Sequence, residues 1–257
     1  MTGLVRRVRF RLLQRRLALP KLLDAFASAY PEARFVEVGA NDGDQHDHLK
    51  PFIQSRRWTG VMVEPVPYIF ARLRENYSSA PGVALENSAV ASEDGTMPFF
   101  HLRDAGADER LGLPDWYDGV GSFSREALLQ HRGEIPDVEE RIVESEVPVL
   151  TFASLCKRHG LTEVDLIVVD TEGYDWEIIR GIDFSAHRPR LLIYEHFHLT
   201  AQTRSSCREH LEAVGYETME EGFDTLALRT ETDDALTQRW RGLEPALAGV
   251  YAPGKES

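Results

Sequence analysis

The sequence has 257 residues, of which 42% are hydrophobic and 28% are charged, so it can form one sizeable core. This length is long for one domain and short for two. Its net charge of −13 disfavours general nucleic-acid binding, because an acidic surface repels the phosphate backbone.

Positive charge is concentrated at the start of the chain. Seven basic and no acidic residues lie within residues 1–21, which leaves a charge of about −20 on the remainder. Residues 4–19 mix aliphatic side chains with arginine in a helical rhythm that stops at Pro20, and a further helix is predicted over Lys21–Tyr30. We therefore assign residues 1–33 to a basic helical extension. It packs on the domain, forms a homodimer with a second subunit, or lies on an anionic membrane.

The cellular compartment is predicted from cysteines and from apolar runs. Cys156 and Cys207 both fall in helix-like segments, without the spacing of a zinc site or a disulfide framework. No apolar run approaches the roughly 18 residues of a membrane-spanning helix, and the basic N-terminus lacks the apolar core of a signal peptide. These features indicate a reducing, cytoplasmic compartment without a transmembrane segment.

From Phe35 onwards, short apolar runs alternate with helical patterns. Strands are predicted at Phe35–Val38, Gly60–Glu64, Val83–Val90, Leu166–Asp170 and Leu191–Glu195, followed by an antiparallel pair at Tyr216–Met219 and Thr225–Leu228. Helices are predicted near Gln45–Arg56, Tyr68–Asn76, Phe152–His159, Tyr174–Arg180 and Thr203–Val214. Apolar strands separated by helices indicate an α/β fold with a mostly parallel sheet and helices on both faces.

The alternation is interrupted over residues 102–146, which follow a turn at Ser92–Gly95 and a short hairpin strand at Met97–His101. Glycine and proline recur through this segment, and a long irregular stretch inside a domain is usually a lid or a binding loop. Its aromatic residues Trp116, Tyr117 and Phe123 would let it pack over a ligand. Residues 230–257 are polar and are predicted to form a helical turn and a loose tail.

The first strand ends in a glycine-bearing turn that spans Glu37–Gly43. Gly39 and Gly43 allow backbone conformations and close approaches that a side chain would block. The second strand ends at Glu64, and a carboxylate at this position can accept hydrogen bonds from both hydroxyls of a ribose. A strand, a glycine turn and an acid that closes the next strand form the nucleoside-binding half of a Rossmann-like sheet.

Acidic residues in this turn indicate which class of nucleoside it would bind. Asp42 and Asp44 lie where a dinucleotide-binding turn presents bare N–H groups to a pyrophosphate, which their charge would repel. A positively charged nucleoside without phosphate, S-adenosylmethionine, fits better. Asn87 and Ser88 follow the third strand, where their side chains could hydrogen-bond an adenine ring.

Acids and imidazoles follow the fourth and fifth strands. They are Asp170, Glu172, Glu195, His196 and, less directly, His198. Because parallel strands end at one edge of a sheet, we expect these side chains to converge. Such a cluster can supply a general base or hold a hard divalent cation such as Mg²⁺. Asp175, by contrast, begins a helical turn and is expected to cap it.

The chain resembles the FkbM-type family of S-adenosylmethionine-dependent methyltransferases over about residues 34–229. The motifs that carry the resemblance are Glu37–Gly43, Glu64-Pro65, Asn87–Val90 followed by Gly95, Leu150–Leu155, Asp165–Gly173 and Glu195-His196. The segment Gly121–Ser124 is loosely similar to a serine-bearing motif of the family. The chain departs from the family pattern at Val168, where relatives usually carry lysine.

The resemblance implies a seven-stranded class I methyltransferase sheet with an antiparallel last strand, within a methyltransferase domain over residues 34–229. It also implies the cofactor contacts. Glu37, Gly39, Asn41 and Gly43 would border the methionine part of the cofactor, and Glu64 would hold the ribose. The other expected cofactor contacts are Ala40, Pro65, Asn87, Ser88, Ala89 and Asp170. Family members act mostly as O-methyltransferases on sugars, polyketides or other secondary metabolites, so a hydroxyl-bearing small molecule is the expected acceptor.

A hydroxyl acceptor must lose its proton, and an imidazole with a pKa near working pH is a natural base. We expect His196 to be this base, with Asp170, Glu172 and Glu195 orienting it or joining it in holding a divalent cation. His46 is the second candidate.

Three alternatives stay open. The first is a carboxyl or N-methyltransferase of the same fold, although the acids would disfavour a carboxylate acceptor. The second is a nicotinamide-dependent oxidoreductase, which Asp42 disfavours. The third is an inactive scaffold subunit that docks through its basic N-terminus.

Overall fold

A computed structural model describes residues 17–45 and 47–245 of the chain. Residues 1–16, residue 46 and residues 246–257 lie outside the described part, and with them the candidate base His46 and most of the basic helix predicted over residues 4–19. Within the described ranges, no helix combines the length and apolar character needed to cross a membrane.

Strands form two sheets. They are β1 (Arg34–Val38), β2 (Thr59–Val63), β3 (Val83–Glu86), β4 (Ala89–Val90), β5 (Gly95–Leu102), β6 (Gly121–Ser122), β7 (Ile142–Leu150), β8 (Leu166–Val169), β9 (Leu191–Glu195), β10 (Tyr216–Glu221) and β11 (Asp224–Arg229). Seven of them form one sheet in the order β10-β11-β9-β8-β1-β2-β3, and β11 alone runs antiparallel to its neighbours. The predicted seven-stranded, mostly parallel α/β sheet is confirmed.

The described residues form ten helices, and those outside residues 102–146 cover both faces of this sheet. They are α1 (Ala18–Ala29), α2 (Lys50–Ser55), α3 (Pro67–Asn76), α4 (Ala107–Arg110), α5 (Arg125–Leu129), α6 (Val138–Arg141), α7 (Phe152–Arg158), α8 (Asp175–Arg180), α9 (Ala201–Ala213) and α10 (Ala235–Arg241), with short 3₁₀ turns at Tyr117–Gly119 and Gln130–Gly133. Side chains of β1 alternate between the faces, so Phe35 joins one buried cluster and Val36 the other. Both clusters are apolar, which explains why the strands contain near-continuous apolar runs.

The strand predicted over Val83–Val90 is divided between the two sheets. β3 ends at Glu86 in the main sheet, whereas β4 pairs with β7 in the second sheet. Asn87 lies between them and donates hydrogen bonds to the carbonyl oxygens of Glu64 and Pro65, at 2.8 and 3.1 Å. This side chain fixes the crossing of the chain from one sheet to the other, which an apolar pattern alone could not indicate.

The helix predicted near Gln45–Arg56 begins only at Lys50. Asp42 accepts hydrogen bonds from the backbone N–H groups of Asp44 and Gln45, and Asp47 accepts from Leu49 and Lys50. These local side-chain bonds compete with helical hydrogen bonding and hold the chain in turns before α2.

Residues 102–146 are more regular than predicted. β7 pairs with β5 along its whole length, and β4, β7, β5 and β6 make the second sheet in that order. The segment also has its own buried cluster, which includes Tyr117, Leu128 and Val138. β7 was not predicted over residues 142–146 because the charged and polar residues of this half leave one of its faces exposed.

The segment after β11 is packed rather than loose as far as it is described. α10 lies against α1, and Leu236 and Trp240 are buried with Phe26 in the cluster on one face of the main sheet. Trp240 also donates a hydrogen bond to Glu217 at 2.8 Å. At the start of the described part, α1 begins at Ala18, two residues before Pro20. A proline is tolerated in the first turn of a helix because the N–H groups of that turn need no helical partner.

Candidate active site

A cleft with about 520 Å³ of empty space, including its open mouth, lies at the carboxyl ends of β1, β2 and β8. Its lining is Val38, Gly39, Val63, Glu64, Pro65, Val66, Ser88, Ala89, Val90, Phe99, Asp118, Gly119, Gly121, Phe123, Asp170 and Thr171. The predicted cofactor residues among these are Gly39, Glu64, Pro65, Ser88, Ala89 and Asp170. Parallel sheets bind ligands at this edge, beyond the carboxyl ends of their strands.

The glycine turn is shaped by close backbone contacts. Gly39 has a φ of +85°, and a β-carbon added there would lie 1.7 Å from the carbonyl oxygen of Asp170. Gly43 has a φ of +65°, and a β-carbon would lie 2.5 Å from the Tyr77 ring. Asn41 adopts the left-handed conformation at φ +51°, which is costly for a residue with a side chain. Ala40, Asn41 and Gly43 shape the turn, whereas Gly39 lines the cleft.

Glu37 is buried behind this turn with one oxygen unsatisfied. Its residue is 6% exposed, and its Oε2 has no hydrogen-bond partner among the described residues. Burial, with the nearby charges of Asp47 and Asp170, raises the pKa of Glu37 well above its usual range. Buried carboxylates are normally paired, so a ligand ammonium would satisfy this one.

Glu64 closes β2 with both carboxylate oxygens oriented by backbone. Oε1 accepts a hydrogen bond from the N–H of Val66 at 2.7 Å, and Oε2 accepts one from the N–H of Asn41 at 3.1 Å. Burial raises the pKa of Glu64 to about 7 despite these bonds. A carboxylate has about four acceptor positions, so two remain for the hydroxyls of a ribose.

Ser88 and Asn87 are placed differently from each other. Ser88 is fully buried, lines the cleft and has no partner for its Oγ among the described residues. Asn87 lies outside the cleft lining, and its amide donates to the backbone of the Glu64–Pro65 turn. Of the two predicted adenine contacts, the structure therefore brings only Ser88 to the cleft.

The predicted acidic cluster is brought together. Carboxylate oxygens of Asp170, Glu172 and Glu195 lie within 4.8 Å of one another. Asp170 lies deep among protein atoms, although the cleft leaves part of its surface open to solvent. This burial and the charges of Glu172 and Asp175 raise the pKa of Asp170 well above its usual range. Burial and the charge of Asp170 likewise raise the pKa of Glu195.

His196 does not join this cluster, so the prediction that it acts as base and metal ligand needs correction. Its residue is 1% exposed, and its Nδ1 lies 2.8 Å from Oγ1 of Thr225 on β11. Burial and the charge of Arg204 lower the pKa of His196 to about 4. The alternation of side chains along the chain after β9 explains the correction, since His196 and Glu195 point to opposite sides.

His198 and His131 approach the cluster instead. Nε2 of His198 lies 2.6 Å from Oε2 of Glu172, and the His131 ring lies edge-to-face against the His198 ring with centroids 5.8 Å apart. Burial alone would lower the pKa of His198, but Glu172 outweighs it and the pKa is raised. His131 comes from the 3₁₀ turn in residues 102–146. No sequence signal pointed to it, because nothing fixed the path of that segment.

Asp175 is structural, but it does not cap its helix as the sequence indicated, because Tyr174 occupies the N-cap position and makes no side-chain capping bond. Asp175 is fully buried as the first residue of α8, and its Oδ2 accepts hydrogen bonds from Thr171 and from the N–H of Gly173. Burial raises the pKa of Asp175 to about 7. These bonds hold the loop in which Glu172 adopts a φ of +53°.

Residues 102–146 supply one wall of the cleft through Asp118, Gly119, Gly121 and Phe123. This wall is fixed to the strand ends by Ser122, whose Oγ donates a hydrogen bond to the carbonyl oxygen of Glu172 at 2.9 Å. Phe123 also packs between the rings of Phe99 and Tyr174. Trp116 does not line the cleft and packs on the His131 ring instead.

Residues 37–223, well over half of the chain, match the model of the methyltransferase FkbM domain. The chain belongs to the FkbM methyltransferase family. Its domain is thus an S-adenosylmethionine-dependent methyltransferase domain, and the FkbM match confirms the resemblance seen in the strand-end motifs. The unpaired oxygens of Glu37 and Ser88 and the buried carboxylate of Glu64 fit that cofactor.

The FkbM domain of this chain is similar to several known proteins. The 2-O-methyltransferase NoeI of Sinorhizobium fredii is 24% identical over 169 residues, which cover 65% of this chain and 64% of NoeI. A crystal structure of methyltransferase FkbM from Methylobacillus flagellatus has a TM-score of 0.47 at 11% identity, covering 77% of this chain and 44% of that one. A methyltransferase from Geobacter sulfurreducens has a TM-score of 0.43 at 12% identity, covering 89% and 90%. The chain spans less than two thirds of the length of NoeI and of the M. flagellatus protein.

Proposed function

We propose that this protein is an S-adenosylmethionine-dependent O-methyltransferase that acts on a hydroxyl of a small molecule, such as a sugar, a polyketide or another secondary metabolite. The observation that carries the proposal is the contact between the glycine turn and the end of β8. Because Gly39 abuts the backbone of Asp170, the open carboxylate of Asp170 lies beside the place where the turn would hold the cofactor.

Three groups of this chain would bind the cofactor. The unpaired Oε2 of Glu37 suits the ammonium, and the buried carboxylate of Glu64 suits the ribose hydroxyls. Ser88 offers a buried hydroxyl to the adenine, between the apolar side chains of Val66 and Phe99. S-adenosylmethionine supplies an electrophilic methyl group carried on a sulfonium ion.

Asp170 would accept the proton of the acceptor hydroxyl. It is the member of the acidic cluster that lines the cleft, and it is open to solvent while Glu172 and Glu195 are partly buried. A positioned carboxylate in such a site serves as a general base once the hydroxyl is within hydrogen-bond reach. The wall from residues 102–146, including Phe123, would exclude water from the acceptor as a lid.

The acidic cluster also bears on the class of acceptor. Asp170 and Glu195 would repel a carboxylate, so carboxyl methylation is disfavoured. They would attract an ammonium, which makes N-methylation the second candidate. The name of NoeI as a 2-O-methyltransferase supports oxygen as the acceptor atom.

The predicted divalent cation is retained in the proposal with a reduced ligand set. Carboxylate oxygens of Asp170, Glu172 and Glu195 lie within 4.8 Å of one another, and Mg²⁺ prefers oxygen ligands. His196 is left out of this ligand set because its ring bonds to Thr225 instead. Calorimetric titration with Mg²⁺ tests this part, and heat that persists in a Glu195→Gln variant would contradict it.

The predicted location and partners also stay proposals. Cys156 and Cys207 are buried free thiols, as expected in the reducing cytoplasm. A homodimer through the N-terminal helices, a small-molecule acceptor and the lack of a nucleic-acid partner follow from the sequence alone.

Two measurements test the proposed function. Isothermal titration should show micromolar binding of S-adenosylhomocysteine and none of NADH, and binding of NADH alone would contradict it. Transfer of a labelled methyl group should then be followed to a panel of sugars, phenolic and aliphatic alcohols, amines and carboxylic acids. Label only on the amines would support N-methylation, and cofactor binding without transfer to any class would support the scaffold alternative.

A further inference from the structure

Two imidazoles and a carboxylate meet beside the acidic cluster, where three separate segments converge. His131, Glu172 and His198 each offer a donor atom, and these atoms lie within 4.8 Å of one another. His198 follows β9, Glu172 follows β8, and His131 belongs to the insertion of residues 102–146. The convergence therefore joins the insertion to the rim of the main sheet.

All three side chains are largely buried, and both imidazoles are incompletely paired. Their exposed fractions are 12% for His131, 18% for Glu172 and 4% for His198. Nε2 of His131 and Nδ1 of His198 lack a hydrogen-bond partner within the described part of the chain, whereas Oε2 of Glu172 lies 2.6 Å from Nε2 of His198. Nearly all buried polar atoms in folded proteins are paired, so two unpartnered imidazole nitrogens in one place indicate a missing ligand.

The charge around these residues indicates that the ligand is a cation. Asp170, Glu172 and Glu195 bring carboxylates together, and no lysine or arginine among the described residues forms an ion pair with any of them. Carboxylates held this close repel one another, and a divalent ion is a common means of offsetting such charge.

We propose that His131, Glu172 and His198 form a binding site for one divalent first-row transition ion of the Zn²⁺ type. Two imidazoles and one carboxylate are a known ligand set for Zn²⁺ and related ions, whereas Mg²⁺ prefers oxygen ligands. Tetrahedral ligands about 2.1 Å from zinc lie roughly 3.3 Å apart, so binding draws the donor atoms together by small side-chain rotations.

The site links the insertion to the strand ends through His131. Occupation by the ion therefore orders residues 117–133 against the loop that carries Glu172, in addition to the hydrogen bond of Ser122. The same ion places positive charge beside the acidic cluster. Its binding is independent of the proposed methyl transfer and can be measured without an acceptor.

The test uses the full chain, stripped with a chelator and titrated with Co²⁺, whose visible absorption reports nitrogen and oxygen ligands. We expect one equivalent to bind, to be displaced by Zn²⁺ and to resist displacement by excess Mg²⁺. A His131→Gln variant should bind Co²⁺ roughly 100-fold more weakly. His210→Gln is the matched control, since His210 is a partly buried imidazole that packs on Trp176 and Phe184 and should leave affinity unchanged.

Two results would overturn the site. One is the lack of saturable Co²⁺ absorption in the folded wild-type chain. The other is unchanged affinity in His131→Gln together with loss in Glu195→Gln, which would place the ion on the carboxylates alone. The melting temperature of each variant verifies that it is folded. Replacement of His131 should be tolerated because His131 lies outside the main sheet, so the test does not depend on whether a His198 variant folds. S-adenosylhomocysteine binding on the same stripped samples separates failure of this site from failure of the proposed function.

Discussion

Ser122 of the insertion donates a hydrogen bond to the carbonyl oxygen of Glu172, a residue that itself adopts a left-handed backbone conformation, at 2.9 Å. The wall of the cleft and the acidic loop are thereby joined by a hydrogen bond, in addition to the ring contact of Phe123 with Tyr174. A Ser122→Ala variant should release the wall, because a buried carbonyl would lose its partner at a cost of about 1 kcal/mol.

The expected result for Ser122→Ala is a fall in kcat/KM of roughly fivefold and faster hydrogen exchange over residues 117–124, with little change in melting temperature. Ser124→Ala is the control, since the Ser124 hydroxyl bonds only to the exposed Glu126. Unchanged exchange in Ser122→Ala would show that the wall is held by its apolar contacts alone.

Gly39→Ala should abolish cofactor binding. The added β-carbon would lie 1.7 Å from the Asp170 carbonyl oxygen, and the residue would also be strained at φ +85°, so the ends of β1 and β8 must separate. We expect a loss of at least about 2 kcal/mol in the free energy of unfolding and no detectable heat with S-adenosylhomocysteine. Gly106→Ala is the matched control, because nothing lies within 4 Å of its β-carbon. Wild-type affinity in Gly39→Ala would disprove the contact.

Cofactor affinity should depend on pH through Glu64. Its pKa is about 7, and the ionised carboxylate is the form that accepts from two ribose hydroxyls. The dissociation constant of S-adenosylhomocysteine should therefore rise roughly tenfold as pH falls from 8 to 6. Glu64→Gln should weaken binding and remove this dependence, whereas Glu86→Gln, a carboxylate that ends β3 and pairs with Arg158, should retain it.

The same shift acts on stability with the opposite sign. Because the folded-state pKa of Glu64 exceeds its usual value of 4.5, the unfolded chain releases the proton first as pH rises. The contribution of Glu64 to stability is therefore full below about pH 4.5 and is lost as pH rises to about 7. Glu64→Gln should flatten this part of the pH profile of denaturant unfolding, and an identical profile would argue against the raised pKa.

Asp170→Asn should slow methyl transfer without loss of cofactor. Removal of a general base typically costs 10²- to 10⁴-fold, so kcat should fall by roughly that factor while the S-adenosylhomocysteine affinity changes less than about threefold. Glu163→Gln, an exposed acid before the other end of β8, is the control. A variant with full activity would show that another group takes the proton.

His196→Ala should affect stability and spare catalysis. Its imidazole is enclosed and bonds to Thr225, so its loss should cost about 1–3 kcal/mol in the free energy of unfolding. Steady-state rates at a temperature where the variant is folded should stay within a few-fold of wild type. A large fall in kcat with an unchanged melting temperature would restore His196 as a catalytic residue.

The strand ends of the main sheet were predictable because a glycine or an acidic residue follows each short apolar run in the sequence. Gly39 and Glu64 stand at the ends of apolar runs, and the parallel arrangement places such ends at one edge. The cluster of Asp170, Glu172 and Glu195 followed from the same reasoning.

Features that depend on the path of the insertion were not predictable. His131 and Asp118 reach the site only because β7 pairs with β5, and the half-exposed β7 has too weak an apolar pattern to indicate that pairing. The choice between His196 and His198 depended on the turn that follows β9 at Phe197 and His198, and no pattern in the sequence indicated how that turn directs the two rings. The sequence around Asn87 did not indicate whether its amide would contact a ligand or the backbone, which it does at Glu64.

The insertion leaves and rejoins the domain at one point. Leu102 faces Ile142 across the β5–β7 pair, and the N–H of Arg103 donates to the carbonyl oxygen of Arg141 at 2.8 Å. Residues 103–141 therefore form a closed excursion with a buried cluster separate from those of the main sheet. Because its two ends are adjacent, the length and sequence of this unit can change without displacing the strand ends beneath it.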